Sequence, residues 1–307
     1  MTTAGITDFM VYDYFITHKK GEKWYAKRHT PHEFKEYVGD PIVMDDCIRG
    51  RIGSKHKNFL RKVFKEELDA TLIHVGNQWT NTTKLMMDYQ KRKVDPSIEL
   101  KYWVKYNFPS QFIPSPSIYS PQVSLAIMKY YGFKGHLLTP TMGWGSWLMA
   151  AAHNQAITSY HGIDVVTSII TKSKTLANEL GVAATFSCKP SEDVKASEMK
   201  LADNIIFSPP YFQLEIYPDD GNLTQSTSRY NELDKWIDGY WEPTMKLCSN
   251  VLRDDGTMCV IFKLNKDGKQ MLTVLEDYFD VFDRKPFSTG GKVSNHNPET
   301  LFACKKL

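Results

Sequence analysis

The chain of 307 residues predicts an α/β fold, a mainly parallel sheet with helices on both faces, preceded by an N-terminal accessory region. Three observations carry that expectation. Beyond about residue 121, short apolar runs alternate with helical patterns at the spacing of strand–helix units. Pro109, Pro114, Pro116 and Pro121, with serines between them, punctuate the chain just before this alternation starts. Ahead of that boundary, aromatic and basic residues interleave without it.

The expected organisation is therefore an accessory region over 1–115 and an α/β domain over 116–307. In the first part, Lys23-Trp24-Tyr25-Ala26-Lys27-Arg28, Arg49-Gly50-Arg51 and Lys55-His56-Lys57 set cations beside rings. A helix follows at Asn58 to Leu68. Phe59, Leu60, Val63, Phe64 and Leu68 form its apolar side, and Arg61, Lys62 and Lys65 are expected on the other face. Residues 1–65 hold 13 Lys and Arg against 8 Asp and Glu, a local +5 in a chain whose net charge is +3. Such a segment is a solvated face or, in the sharper reading, a phosphate-contacting surface with stacking rings. Leu85-Met86-Met87 reads as core.

In the second part, Gln122 to Tyr131 reads as a helix and His136 to Leu138 as a short strand. A glycine-rich turn and a helix from Trp147 to Asn154 follow. Ser159 to Ile163 is a strand ending at Asp164, Thr167 to Leu180 a helix stopped by Gly181, and Ala183 to Cys188 a strand. Asn204 to Phe207 is a buried strand running into Ser208-Pro209-Pro210-Tyr211-Phe212. Leu233 to Leu252 is a long helix, Thr257 to Lys263 a strand and Gln270 to Tyr278 a helix. Val281-Phe282 and Thr300 to Cys304 are the final strands. Ser288-Thr289-Gly290-Gly291-Lys292 precedes no helix and reads as a hairpin turn.

Composition narrows the function classes. The five cysteines are scattered and include no C-x-x-C pair, against a disulfide scaffold or zinc ribbon and for a reducing compartment. His74, His153, His161 and His296 show no metal-ligand spacing. The N-terminus lacks a basic segment before an apolar run, and no apolar stretch is long enough to span a bilayer, so a cytoplasmic protein is expected.

Three features fall at carboxyl ends of predicted strands, where open α/β sheets bind ligands. Thr139-Pro140-Thr141-Met142-Gly143-Trp144-Gly145-Ser146 ends the first strand; its glycines let backbone approach a ligand, and a helix N-terminus follows. Asp164 lies about twenty residues further on, where a carboxylate commonly receives a ribose diol. The Ser208 corner is the third. Two prolines fix φ and remove donors, leaving a hydroxyl and carbonyls in a rigid relation. A dinucleotide fingerprint is disfavoured because Leu148 stands where its third glycine belongs, and no Gly-Lys-Ser/Thr marks a P-loop.

These residues resemble the S-adenosylmethionine-dependent amino-methyltransferases of DNA, which act on adenine N6 or cytosine N4, and in particular those of phages and large DNA viruses. Ser208 to Tyr211 matches their Asp/Asn/Ser-Pro-Pro-aromatic signature. Pro140, Gly143, Gly145 and Ser146 match their cofactor turn, and Phe212-x-x-Glu215-x-Tyr217 with Trp236 extends the similarity. The resemblance implies a Rossmann-like methyltransferase fold over the second part and S-adenosylmethionine as cofactor. It implies DNA as partner, with RNA as the alternative, and an N-terminal region engaging the nucleic acid. Cofactor contacts would come from Ser117, Tyr119, Thr139, Pro140, Gly143, Gly145, Asp164 and Glu192. Ser208, Pro209, Pro210 and Tyr211 would be catalytic, with Tyr211 and Phe212 stacking a flipped base. No metal is implied, and the chemistry needs none. Thr139 departs from the pattern: the family usually has Asp there, facing the cofactor's amino group, and threonine cannot pair with an ammonium.

Overall fold

The structure is a computed structural model of the chain. It describes residues 15–20, 23–28, 48–49, 54–75, 78–91, 116, 118–210, 212, 215–217, 225–288 and 299–307. The N-terminal part supplies strands β1 (Phe15–Lys20), β2 (Lys23–Arg28) and β3 (Ile48–Arg49), helices α1 (Ser54–Val63) and α2 (Lys65–Ala70), a hairpin of β4 (Leu72–Val75) and β5 (Gln78–Thr80), and helix α3 (Thr82–Lys91).

The second part begins with α4 (Pro121–Tyr130), β6 (Gly135–Thr139), α5 (Ser146–Ala152), β7 (Ile157–Asp164), α6 (Thr167–Leu180) and β8 (Ala184–Cys188). It continues through β9 (Ala202–Phe207), β10 (Glu215–Ile216), α7 (Ser226–Arg229), α8 (Leu233–Trp236), a π turn (Ile237–Trp241) and α9 (Glu242–Val251). It ends with β11 (Leu252–Lys263), α10 (Lys266–Tyr278), β12 (Phe279–Ser288) and β13 (Glu299–Lys306).

Seven of these strands run in the order β12-β13-β11-β9-β6-β7-β8. All neighbours are parallel except β13, which is antiparallel to both β11 and β12. This is the Rossmann-like methyltransferase architecture expected from the resemblance. β3, β1 and β2 extend the sheet beyond β12. A separate three-stranded sheet is ordered β10-β4-β5.

Side-chain alternation explains why the strands sit between two helical layers. Leu137, Ile206, Cys259, Ile261, Leu301 and Ala303 join one apolar cluster, together with α4, α5 and α6. Their strand neighbours Leu138, Ile205, Phe207, Val260, Phe262 and Phe302 join the other, with α9 and α10. Both faces are thus apolar, as a covered parallel sheet requires.

Several expectations change in detail. The long helix expected from Leu233 is interrupted by the π turn. Pro243 lacks the N–H that would bond the residue 239 carbonyl, so the ladder widens just before it. β11 starts five residues earlier than expected, with a register shift between Leu252 and Thr257. Leu85 is buried, but Met86 and Met87 are exposed because they point off the other side of α3. Arg61 does not face solvent with Lys62. It lies on the inward stripe with Leu60 and Phe64, and its guanidinium donates to the Pro116 carbonyl at 2.9 Å. The residue 289–298 turn, His296, Cys47, Gly50 and Arg51 lie outside the described residues. No described helix is long and apolar enough to cross a membrane.

Candidate functional site

The chain order reverses between β6 and its neighbour β9: β6, β7 and β8 grow one way, and β9, β11 and β13 the other. A crevice at the carboxyl ends of the two reversing strands is where such sheets bind ligands. Thr139 ends β6 on one side, and Ser208 follows β9 on the other. Thr141 Oγ1 donates to the Ser208 carbonyl at 2.9 Å, tying the glycine turn to the Pro-Pro corner. The Tyr119 hydroxyl donates to Ser208 Oγ at 3.1 Å, and Ser146 Oγ donates to the Tyr119 carbonyl at 2.7 Å. The segment before α4, the turn before α5 and the corner after β9 therefore form one hydrogen-bonded unit around the crevice. Pro209 and Pro210 continue it as irregular backbone.

Within the turn, Gly143 has φ +53° with open space where a Cβ would stand, and Gly145 has φ +80°. Both conformations favour glycine. A Cβ on Gly145 would meet Phe64, Leu176 and Leu60 at 3.1–3.3 Å, so α1 packs directly on the turn. The Pro140 carbonyl accepts from Ser191 Oγ at 2.6 Å, which anchors the turn to the segment after β8.

Asp164 ends β7 and faces the same turn. Its Oδ2 accepts from Gly143 N–H and its Oδ1 from Val166 N–H, each at 3.1 Å. Burial pushes this carboxyl up to about 6. The backbone N–H groups of Val166, Gly143 and Val165 pull against burial, and the Glu67 charge adds to it.

Glu67, on the N-terminal α2, is itself buried. It accepts from Lys172 Nζ at 2.8 Å and from Ser168 Oγ at 2.5 Å, both on α6. Burial would raise its carboxyl, but these bonds outweigh burial and hold it below its ordinary value. The sequence offered only the apolar stripe of residues 60, 64 and 68 as a sign that this region docks beside the turn.

Thr139 is fully buried. Its hydroxyl is hydrogen-bonded to the Tyr160 hydroxyl and lies 3.4 Å from the His161 carbonyl. The expected contact with a ligand's amino group is not what this arrangement provides, because the hydroxyl is already engaged on β7. Glu192 likewise has a partner within the protein. Arg229 Nη1 donates to it at 2.9 Å, while both Arg229 Nη atoms bond Asp193 at 2.8 and 3.1 Å. Burial pushes the Glu192 carboxyl up to about 6, against the pull of Arg229.

Phe212 corrects another expectation. Its ring is buried in the core, 5.8 Å from that of Trp236, and offers no open stacking face. Phe212 packs against Trp236 of α8, and that contact is what takes it out of reach of a base. Tyr211 and Ser117 lie outside the described residues. Trp144, in the turn, has its ring 5.8 Å from Tyr217, whose hydroxyl is bonded to Glu215.

The donor set fits an S-adenosyl group in part. The Asp164 carboxylate accepts from backbone N–H groups and has four lone pairs in all, enough to leave one for a ribose hydroxyl. Gly143 presents bare backbone at the mouth of the turn. Thr139 does not supply the carboxylate an ammonium would need. Among the described residues, no group of three or more His, Cys, Asp or Glu side chains could hold a metal ion.

No protein-family model matches the chain, and no curated protein matches it. Its coordinates are similar to those of several solved methyltransferases. TrmN from Thermus thermophilus aligns at 14% identity and TM-score 0.44, over 61% of this chain and 49% of that one. A S-adenosylmethionine-dependent methyltransferase from Clostridium acetobutylicum aligns at 11% identity and TM-score 0.42, over 73% and 98%. The N-methyltransferase NodS from Bradyrhizobium japonicum, in complex with S-adenosyl-L-homocysteine, aligns at 9% identity and TM-score 0.39, over 56% and 78%. Similarity at this level carries no inference about substrate.

Proposed function

We propose that the chain is a S-adenosylmethionine-dependent methyltransferase acting on an exocyclic amine of a nucleic-acid base, adenine N6 or cytosine N4, with DNA as the polymer. One observation carries this reading. An acid-and-glycine turn suited to a nucleoside and a hydroxyl-and-carbonyl corner suited to an amine flank one switch point, joined by the 2.9 Å Thr141–Ser208 bond.

The bound cofactor would supply an electrophilic methyl on a sulfonium. Asp164, Gly143, Gly145, Pro140 and Tyr119 are the residues that would hold it. An exocyclic amine is a poor nucleophile because its lone pair is delocalised into the ring. Ser208 Oγ and the Pro209 carbonyl accepting its two N–H bonds would draw the nitrogen toward tetrahedral geometry and localise that pair. Tyr119 donates to Ser208 Oγ and so fixes the orientation of that hydroxyl. Pro210 keeps the corner rigid. The base would enter flipped or single-stranded, stacked by Tyr211. The N-terminal region, net +5 over residues 1–65, would meet the phosphates.

Labelled S-adenosylmethionine incubated with mixed-sequence DNA and RNA, followed by nucleoside mass spectrometry, tests the reading. Label is expected on a DNA base amine. Ser208→Ala should lower transfer about 100-fold while cofactor affinity stays within a factor of about three by calorimetry. Label on RNA alone would replace the polymer. A chain that binds cofactor and labels neither would overturn the function. The engaged Thr139 hydroxyl favours one further reading, a relative that binds nucleic acid without turnover, for which calorimetry would find no cofactor affinity.

A further inference from the structure

We propose that Arg61 is a positioning residue for the Ser208 corner: from α1 it holds the segment before α4 so that the Tyr119 hydroxyl meets Ser208. This rests on the methyl-transfer reading above.

The sequence sets an arginine on the inward side of α1, beside Leu60 and Phe64, which are both fully buried. An aliphatic side chain would serve packing there, and a guanidinium drawn out of water costs free energy unless its donors are used. Burial accordingly weakens the Arg61 guanidinium's hold on its proton. Its Nη2 donates to the Pro116 carbonyl at 2.9 Å, a charge-assisted bond across 55 residues of chain.

Three residues past that carbonyl the segment reaches the corner. The Tyr119 hydroxyl donates to Ser208 Oγ at 3.1 Å, and the Tyr119 carbonyl accepts from Ser146 Oγ, at the start of α5, at 2.7 Å. The Tyr119 ring lies 5.2 Å from that of Trp147, the next residue of α5. Held at Ser146 alone, the segment could pivot about that bond and carry the phenol away from Ser208. A second anchor upstream removes the pivot.

Arg61 supplies that anchor from an element already fixed against the site. Leu60 and Phe64 of α1 are among the side chains that a Cβ on Gly145 would meet. The next helix, α2, is tied to α6 by the bonds from Lys172 and Ser168 to Glu67. A helix ahead of the proline-rich boundary therefore takes part in the site beyond it. Arg61 touches neither the reacting amine nor the cofactor; it acts through Tyr119, where a misplacement of about 1 Å can cost up to about 100-fold in rate.

The test is a double-mutant cycle on the full chain, with labelled S-adenosylmethionine and mixed DNA and RNA oligonucleotides. Arg61→Met keeps an apolar stem and removes the donors. It should lower kcat about tenfold in the wild-type background and no more than about twofold in Tyr119→Phe, since the path it supports is then already cut. Arg61→Lys, which keeps a cationic donor, should recover part of the loss. Without cofactor or nucleic acid, peptides covering residues 118–124 should exchange amide hydrogen faster in Arg61→Met than in wild type. If Arg61→Met does not fold by circular dichroism, Arg61→Gln takes its place, because its amide ends two bonds short of the guanidinium's outer nitrogens. Failure of both to fold would make Arg61 a structural residue and overturn the proposal. Losses that multiply across the two positions, a wild-type kcat in the folded variant, or unchanged exchange would also overturn it, while transfer by the wild type stands. A wild type that labels neither polymer overturns the transfer reading and this inference with it.

Discussion

Thr141 Oγ1 donates to the backbone carbonyl of Ser208 at 2.9 Å, and that bond joins the two halves of the sheet at the point where strand order reverses. It sets the distance between the turn that would carry the cofactor and the corner that would carry the amine. Thr141→Val keeps the shape and removes the donor. A net hydrogen bond is worth about 1 kcal/mol, so kcat should fall roughly five- to tenfold with cofactor affinity nearly unchanged. Initial rates and calorimetry on the same preparation check this.

Asp164 supplies a pH dependence whose sign is fixed by burial. Its folded carboxyl titrates at about 6, above the ordinary aspartate value of 3.8. The folded state therefore holds a proton that the unfolded chain has released, and stability from this group is lost as pH rises from about 4 to 6. Glu192, also raised to about 6, adds in the same direction. Asp164→Asn should flatten this decline in part, read as thermal midpoints across that window. Affinity for S-adenosylhomocysteine should rise through the same window in wild type, because the ionised carboxylate is the better diol acceptor, and the rise should disappear in the variant.

Glu67 works with the opposite sign. The bonds from Lys172 and Ser168 outweigh burial and hold its carboxyl below the ordinary 4.5. Its contribution is present above that value and is lost as pH falls through the depressed one. Glu67→Gln should lower the melting temperature at pH 7 and narrow its gap from wild type near pH 3. Equal deficits at both pH values would refute the ion-pair account.

Gly145 and Gly143 separate packing from ligand approach. Alanine at Gly145 is strained at φ +80° and would press Phe64, Leu60 and Leu176, whereas at Gly143 it meets open space at φ +53°. Left-handed backbone costs roughly 1–2 kcal/mol at either site. Gly145→Ala should therefore lose more thermal stability, and Gly143→Ala should lose cofactor affinity out of proportion to its melting temperature.

Phe212 and Tyr211 make a second contrast. Phe212 is core against Trp236, so Phe212→Ala should cost about 3–5 kcal/mol of stability in denaturant unfolding. Tyr211→Ala should leave stability close to wild type and depress transfer. The reverse pattern would exchange their roles.

Much of the fold was legible along the chain. Short apolar runs such as Leu137-Leu138 and Ile205-Ile206-Phe207 placed β6, β7, β8 and β9 to within a few residues, because the centres of β6 and β9 are buried on both faces. The Pro-Pro corner and the glycine turn were legible because proline and glycine restrict the backbone locally, whatever surrounds them. The N-terminal apolar stripe announced a buried face but not what would bury it.

What only the tertiary structure decided is pairing at long range. The inward turn of Arg61 to Pro116, the Glu67–Lys172 pair, the engagement of Thr139 by Tyr160, the burial of Phe212 under Trp236 and the hold of β4 on Glu215 each join residues far apart in sequence. Local periodicity says that a side chain faces inward. Which partner waits there depends on how layers of the sheet and its helices come together, and that order is written in no single stretch of the chain. The residue types at the candidate site were set by the sequence alone, and their availability to a ligand was set by the packing around them.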